Sequence, residues 1–490
     1  MATVQRGEAG ATGGRRAGPR PSDGVAPDVW LRAGTELVAH LQELIRIPSV
    51  NPPPAPGDGE LRTARQIADV LAVAGLAPEV VEPVPGRGSV AVRLRGDGTG
   101  GEPLLLLSHL DVVPAPPDGW THDPFGGELA DGYVWGRGAV DMKGMVALEV
   151  AVVGRLAAEA RDAGRDPASD PIPGLTRDVL FAATADEEAG GHLGAGWIVD
   201  HRPAWLRAAG AVNECGGVSV DFAGRRFYPI GVAEKGYADF RITVRGTWGH
   251  GSMPRADNAA VRAAAIVSRL AEPGPPRLTP TMALFFRTVA DEIGGPTGEL
   301  VRRIASPDGD ESESAIAAAC DEMYGRAARA LLRDTASPNV IQAGLKYNVI
   351  PGTAEILVDC RTLPGTDEAA MRAELRRRIG EELWAVCDVD AFLSAPAVEA
   401  PTDTELYRTL EHAIRDHDPA GVPVPVMVPF ATDAKHTTRL DVPTYGFSPL
   451  RLEPGERFLE RFHGVDERVG VDALQFGLPV LYDVVRRFCG

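Results

Sequence analysis

Residues 104–114 read LLLLSHLDVVP and residues 179–191 read VLFAATADEEAGG. In both, an uninterrupted apolar run ends in polar side chains able to hold a metal. Runs such as Leu104–Leu107 and Val179–Thr184 suit strands buried on both faces of a central sheet. A third short strand, Ala211 to Asn213, leads into Glu214. Ligand sites of open α/β sheets lie at the carboxyl ends of strands. Here three strand ends deliver His109 with Asp111, Glu187 with Glu188, and Glu214. The segment WGRGAVDMKG adds Asp141 just before a helix expected over 145–158. Imidazole with carboxylates is the ligand set of a catalytic Zn²⁺-like ion, and several carboxylates suit two ions that share one. Singly, Asp141 reads equally well as a helix cap and Glu187–Glu188 as a solvated turn. The coincidence of four such positions favours the metal.

Working outward, residues 1–27 hold Gly, Ala, Arg and Pro with almost nothing large and apolar, the composition of a disordered tail. Helical periodicity then places Leu37, Leu41, Leu44 and Ile45 on one face until Pro48. Strands alternating with helices follow, as in an α/β sheet of parallel character. Near Lys235 the order changes to β-α-β-β-α-β, a split unit that closes as a small two-layer domain. It is interrupted by a mostly helix-like insert, residues 272–337, and α/β character returns after Pro396. The expected organisation is a tail (1–27), a catalytic domain in two parts (28–235 and 395–490), and an inserted unit (236–394).

The 490 residues are enough for two to four domains at roughly 150 each. With Lys+Arg 50 and Asp+Glu 68 the net charge is −18, which argues against a nucleic-acid binder. The five cysteines form no C-x-x-C pair, so a disulfide framework is not expected and a reducing cytoplasm fits. No apolar run approaches a membrane helix, and the N-terminus lacks a secretory apolar core. No G-x-G-x-x-G follows a buried strand and no G-x-x-x-x-G-K-[ST] occurs, against a nicotinamide or nucleotide enzyme.

The motifs SHLDVVP, GRGAVDMKG and DEE together resemble those of the M20 metallopeptidases, a family of deacylases, aminoacylases, glutamate carboxypeptidases and carboxypeptidase S-like enzymes. The resemblance covers most of residues 28–490. It implies a zinc-peptidase-like domain with a mixed central sheet, and an inserted βαββαβ unit acting as lid or dimerisation domain. It also implies two divalent ions, zinc above all, with cobalt or manganese as alternatives. Position by position, His109 and Glu214 ligate one metal, Glu188 and His463 (in FHGVDE) the other, and Asp141 bridges both. Asp111 orients the other ring nitrogen of His109, and Glu187 is the general base. Spacing alone leaves the Glu187 and Glu188 roles interchangeable; the family order assigns them. A cis peptide after Asp141 is also implied.

The same resemblance assigns His250 of GTWGHGSMP to the oxyanion of the tetrahedral intermediate, often from the second subunit of a homodimer. It assigns Asn348 of YNVIPG and Arg361 of DCR to the substrate, with Arg361 gripping a carboxylate. A turn residue and an ordinary salt bridge are the plain alternatives for His250 and Arg361. The stretch ATDAKH, 431–436, resembles the family's substrate loop without its leading glycines. The expected activity is amide hydrolysis of a peptide or N-acyl amino acid with a free carboxylate. A non-catalytic binding protein that kept the fold is the alternative, and the complete ligand set argues against it.

Overall fold

The computed structural model describes residues 19–53, 59–116 and 118–490. The strand Leu104–His109 lies between Val179–Thr184 and Gly210–Asn213, parallel to both, within a mixed ten-stranded sheet. Its register sets His109 beside Thr184. Leu104 to Leu107 are wholly buried because helices and loops cover both faces of this strand. On one face lie the helices Pro27–Ile45, Lys143–Asp162 and Val471–Cys489, which share one apolar core. Leu37, Leu41, Leu44 and Ile45 all point into that core, as their spacing requires.

The N-terminal boundary differs from expectation. Residues 1–18 of the expected tail lie outside the described residues, but Pro21–Gly24 forms a 3-10 turn. Ser22 is buried, and its N–H and hydroxyl donate to the Asp483 carboxylate at 2.6 and 2.9 Å. His417 Nε2 contacts the same carboxylate at 2.7 Å. A buried carboxylate needs donors, and this one draws two of them from a segment whose composition carries no helix or strand signal.

The inserted unit follows its expected order. Strands Gly236–Arg245, Thr335–Ala343, Thr353–Thr362 and Cys387–Ala395 form a separate antiparallel sheet, with helices Ala259–Ala271 and Glu368–Ile379 on its apolar face. The helices between residues 280 and 331 do something else. Met282, Phe286, Val289 and Ile304 pack against Phe227, Val424 and Met427, which belong to strands Arg225–Glu234 and Gly421–Val428 of the central sheet. The insert is therefore a roof over the far part of the large sheet, joined by chain to the small one. Among the described residues, no helix is long and apolar enough to cross a membrane.

Candidate active site

The strand ends converge with a loop from the far end of the chain. His109 Nε2 lies 3.1 Å from Asp141 Oδ1 and 3.6 Å from Glu214 Oε1. His463 Nε2 lies 3.2 Å from Asp141 Oδ2 and 3.3 Å from Glu188 Oε2. Asp141 thus stands between two imidazoles, one on each oxygen. Ligand atoms of His109, Asp141 and Glu188 fall within 4.8 Å of one another, as do those of His109, Glu187 and Glu214. Glu187, expected as base, is therefore as close to His109 and Glu214 as a ligand would be, and distance alone does not separate its two roles.

Burial decides the electrostatics. It pushes the Glu188 carboxyl up to about 7 and the Glu214 carboxyl up to about 8. Burial acts the same way on Asp141, but hydrogen bonds from His109 and His463 hold its carboxyl well below the usual range. Hydrogen bonds to Asp141 and Glu188 raise His463 to about 10. Glu188 Oε1 is buried without a hydrogen-bond partner among the described residues. Three buried carboxylates, two imidazoles and an orphaned oxygen are a poor arrangement for protons alone and a good one for divalent cations. The donor set fits the metal pair that the sequence implied.

The surroundings hold these groups in place. Asp111 Oδ1 accepts the Glu187 N–H at 3.1 Å, and its Oδ2 accepts the Glu188 N–H at 3.0 Å and Asn51 Nδ2 at 2.8 Å. His109 Nδ1 faces the Asp111 main-chain oxygen at 3.1 Å and its carboxylate at 3.4 Å. Asp111 thus meets the second ring nitrogen and also ties the two glutamates to that ring. The Asp141–Met142 peptide is cis. Asp186, Cys215 and His463, each beside or within the cluster, have positive φ without being glycine, a placement that functional turns favour.

Two neighbours escaped the sequence reading. Glu467, four residues after His463, is fully buried; its Oε1 accepts the Val140 and Asp141 N–H groups at 2.8 and 3.1 Å, and its Oε2 pairs with Arg137 at 2.7 Å. Lys435 places Nζ 3.2 Å from Glu187 Oε1 and 3.0 Å from the Thr432 carbonyl. The acidic end of FHGVDE and the lysine of ATDAKH were the available signals, but neither motif names its partner. His436 is buried, its Nε2 2.9 Å from the Gly190 carbonyl.

His250, Asn348 and Arg361 belong to the inserted unit. His250 is exposed on a two-residue strand paired with Val349–Ile350, and its Nδ1 lies 2.7 Å from Ser252 Oγ. Asn348 is its neighbour: the Asn348 carbonyl accepts the Gly251 N–H at 2.9 Å, and Asn348 Oδ1 is buried without a hydrogen-bond partner among the described residues. Arg361 makes a two-pronged pair with Asp359 at 2.8 and 2.9 Å and lies over the Tyr237 ring. Within the chain Arg361 has the salt bridge that was its plainer reading, and among the described residues no hydrogen bond or ion pair joins any of the three to the His109 cluster.

The fold and cluster are those of a metallopeptidase-type hydrolase. Residues 105–487 match Peptidase family M20/M25/M40, and the chain belongs to that family, whose members act on amide bonds. A probable carboxypeptidase S-like 2 of Dictyostelium discoideum is 30% identical over 401 residues, 79% of this chain and 71% of that protein. The N-fatty-acyl-amino acid synthase/hydrolase PM20D1 of Xenopus tropicalis is 29% identical over 76% of this chain and 70% of its own. Aminoacylase-1 of Sus scrofa is 27% identical over 88% and 90%. The M20 metallo-carboxypeptidase Sso-CP2 of Sulfolobus solfataricus shares the fold with a TM-score of 0.68 at 15% identity, covering 92% of this chain and 99% of its own.

Proposed function

We propose that the protein hydrolyses the amide bond of an N-acyl amino acid or short peptide that carries a free carboxylate, using two divalent ions, zinc foremost. His109 and Glu214 would hold one ion, Glu188 and His463 the other, and Asp141 both. The observation that carries this reading is the position of Asp141, with a separate imidazole within 3.2 Å of each carboxylate oxygen. Ions bound there supply Lewis acidity toward a carbonyl and acidify a water.

The chain's own groups do the rest. Glu187, with one oxygen turned to Lys435, keeps its other oxygen to take a proton from the attacking water and return it to the departing amine. Asp111 fixes the backbone on which Glu187 and Glu188 stand. His250 donates to the oxyanion from the second subunit of a homodimer formed through the inserted unit; the exposed Trp248, Met253 and Tyr347 around it support an interface there. Asn348 and Arg361 engage the substrate, with Arg361 leaving Asp359 for the substrate carboxylate. The relatives named for carboxypeptidase, aminoacylase and fatty-acyl-amino acid hydrolysis support this substrate range. The five free cysteines are in keeping with a reducing cytoplasm.

The deciding experiment compares Glu187→Gln with Glu188→Gln on a panel of N-acyl amino acids and dipeptides, with metal content measured after dialysis. Glu187→Gln is expected to lose turnover and keep two equivalents of metal, and Glu188→Gln to lose metal. The opposite pattern would exchange their roles. Chelator-insensitive hydrolysis by the unmodified protein would overturn the reading.

A further inference from the structure

Next to the polar cluster lies a second, apolar space, a cavity of about 660 Å³. Its inner end is walled by Glu214, Cys215 and Val140, the last two each adjacent in sequence to a candidate ligand. Its floor is the central sheet and the helix behind Asp141, through Phe227, Met427 and Leu148. Its roof is the insert, through Phe286, Val301, Ala327 and Leu331. The outer end reaches Asp321 and Arg457, 3.8 Å apart and each about half exposed.

The four insert helices thus arch over the sheet without filling the space beneath them. Protein interiors close-pack, and an unfilled apolar space of this size forfeits contacts that a close-packed core would make. An occupant with polar groups along its length would find few partners on these walls, whereas each methylene buried there gains roughly fourfold in affinity. The volume is that of a ligand pocket, within the range of about 300–1,000 Å³. None of its lining residues comes from the strands or helices of the four-stranded unit, which holds Asn348 and Arg361. If those residues hold the carboxylate-bearing amine side of the substrate, the cavity faces the other side of the scissile bond.

We propose that this cavity is an acyl-chain site. It takes a long, linear, apolar acyl group, with the amide carbonyl at the Glu214 end and the terminal methyl toward the Arg457–Asp321 pair. The substrate class narrows accordingly to N-long-chain-acyl amino acids, and the insert becomes the element that selects chain length. This rests on the amide-hydrolase reading above.

The test uses the full-length, metal-loaded protein with N-acetyl-, N-octanoyl- and N-hexadecanoyl-phenylalanine. The rate constant kcat/KM is expected to rise at least about tenfold from acetyl to hexadecanoyl. Ala327→Trp, which places bulk in the roof, is expected to lower it by about tenfold or more for hexadecanoyl and leave acetyl unchanged. Ala327→Leu serves as the milder variant, and melting curves confirm that both fold. A second arm needs no turnover: cis-parinaric acid, a fluorescent fatty acid, is expected to bind the unmodified protein and to bind Ala327→Trp weakly. Equal rates across chain lengths, or parinaric acid binding that is absent or indifferent to Ala327→Trp, would overturn the acyl site and leave the hydrolase reading standing. Absence of hydrolysis on every substrate, with parinaric acid binding that Ala327→Trp weakens, would overturn the hydrolase reading and leave the cavity's chemistry standing.

Discussion

Lys435 Nζ lies 3.2 Å from Glu187 Oε1, with both side chains nearly buried. Burial alone would favour a neutral lysine, but Glu187 and Asp433 hold its ammonium above the usual range. The pair fixes one oxygen of the proposed base and keeps a positive charge beside it. Lys435→Met is expected to lower kcat by about tenfold to a hundredfold with metal content unchanged, and Lys435→Arg to restore part of the loss. Steady-state kinetics with metal analysis checks this; an unchanged kcat would make the pair purely structural.

Metal affinity should depend steeply on pH. Burial raises Glu188 to about 7 and Glu214 to about 8, so in the absence of cations both tend to hold protons near neutrality. A cation must displace those protons. Apparent affinity is therefore expected to fall as pH drops from about 8 to about 6, with proton release on binding. Competition against a chromophoric chelator measures the first, and calorimetry in buffers of different ionisation enthalpy the second. A pH-independent affinity would contradict the assignment of these two carboxylates.

Arg137 and Glu467 form a buried pair at 2.7 Å beneath the backbone of Asp141. Arg137→Ala leaves a buried carboxylate without its counter-charge and should cost about 3–5 kcal/mol of stability. Glu467→Ala also frees the N–H groups of Val140 and Asp141, and should weaken metal binding about tenfold to a hundredfold. Thermal melts and metal titration test the two effects separately.

Glu149 lies on the helix Lys143–Asp162, fully buried, with Ser108 as its polar neighbour but neither carboxyl oxygen in a well-formed hydrogen bond among the described residues. Burial pushes its pKa well above the ordinary value. The folded state therefore keeps this proton to higher pH than the unfolded chain does. Its contribution to stability is complete below the ordinary carboxylate range and is lost as pH climbs toward the folded value. Glu149→Met keeps the shape without the titration, and should raise stability at neutral pH by about 1–3 kcal/mol. Melting temperatures at acid and neutral pH provide the check: the gain should shrink in acid.

His250→Ala should lower kcat on the order of a hundredfold with the fold intact, as expected for an oxyanion donor. Arg361→Ala should raise KM for substrates with a free carboxylate far more than for their esters. Equal effects on acid and ester would leave Arg361 with its Asp359 pair as a structural bridge. Mixing His250→Ala with Glu187→Gln protein tests the shared site: mixed dimers regain activity only if His250 serves its partner.

The sequence nominated His109, Asp111, Asp141, Glu187, Glu188 and Glu214 by their places at strand ends and before a helix. The family resemblance added His463 and the division of roles, and the order of elements was legible from periodicity. Apolar runs report strands, and the residues that follow those runs report what a sheet edge presents; both are local properties. The βαββαβ order was legible for the same reason, to within a few residues at each boundary. The tertiary structure alone decided three things. Lys435 meets Glu187 across 248 positions, and Glu467 supports the Asp141 N–H across 326, pairings that no local pattern encodes. The insert could be read as helical, but periodicity tells which face of a helix is apolar, not which surface covers it. Its helices turned that face to the strands Arg225–Glu234 and Gly421–Val428 of the central sheet, and so built a chamber beside Glu214 that no single stretch of sequence announces.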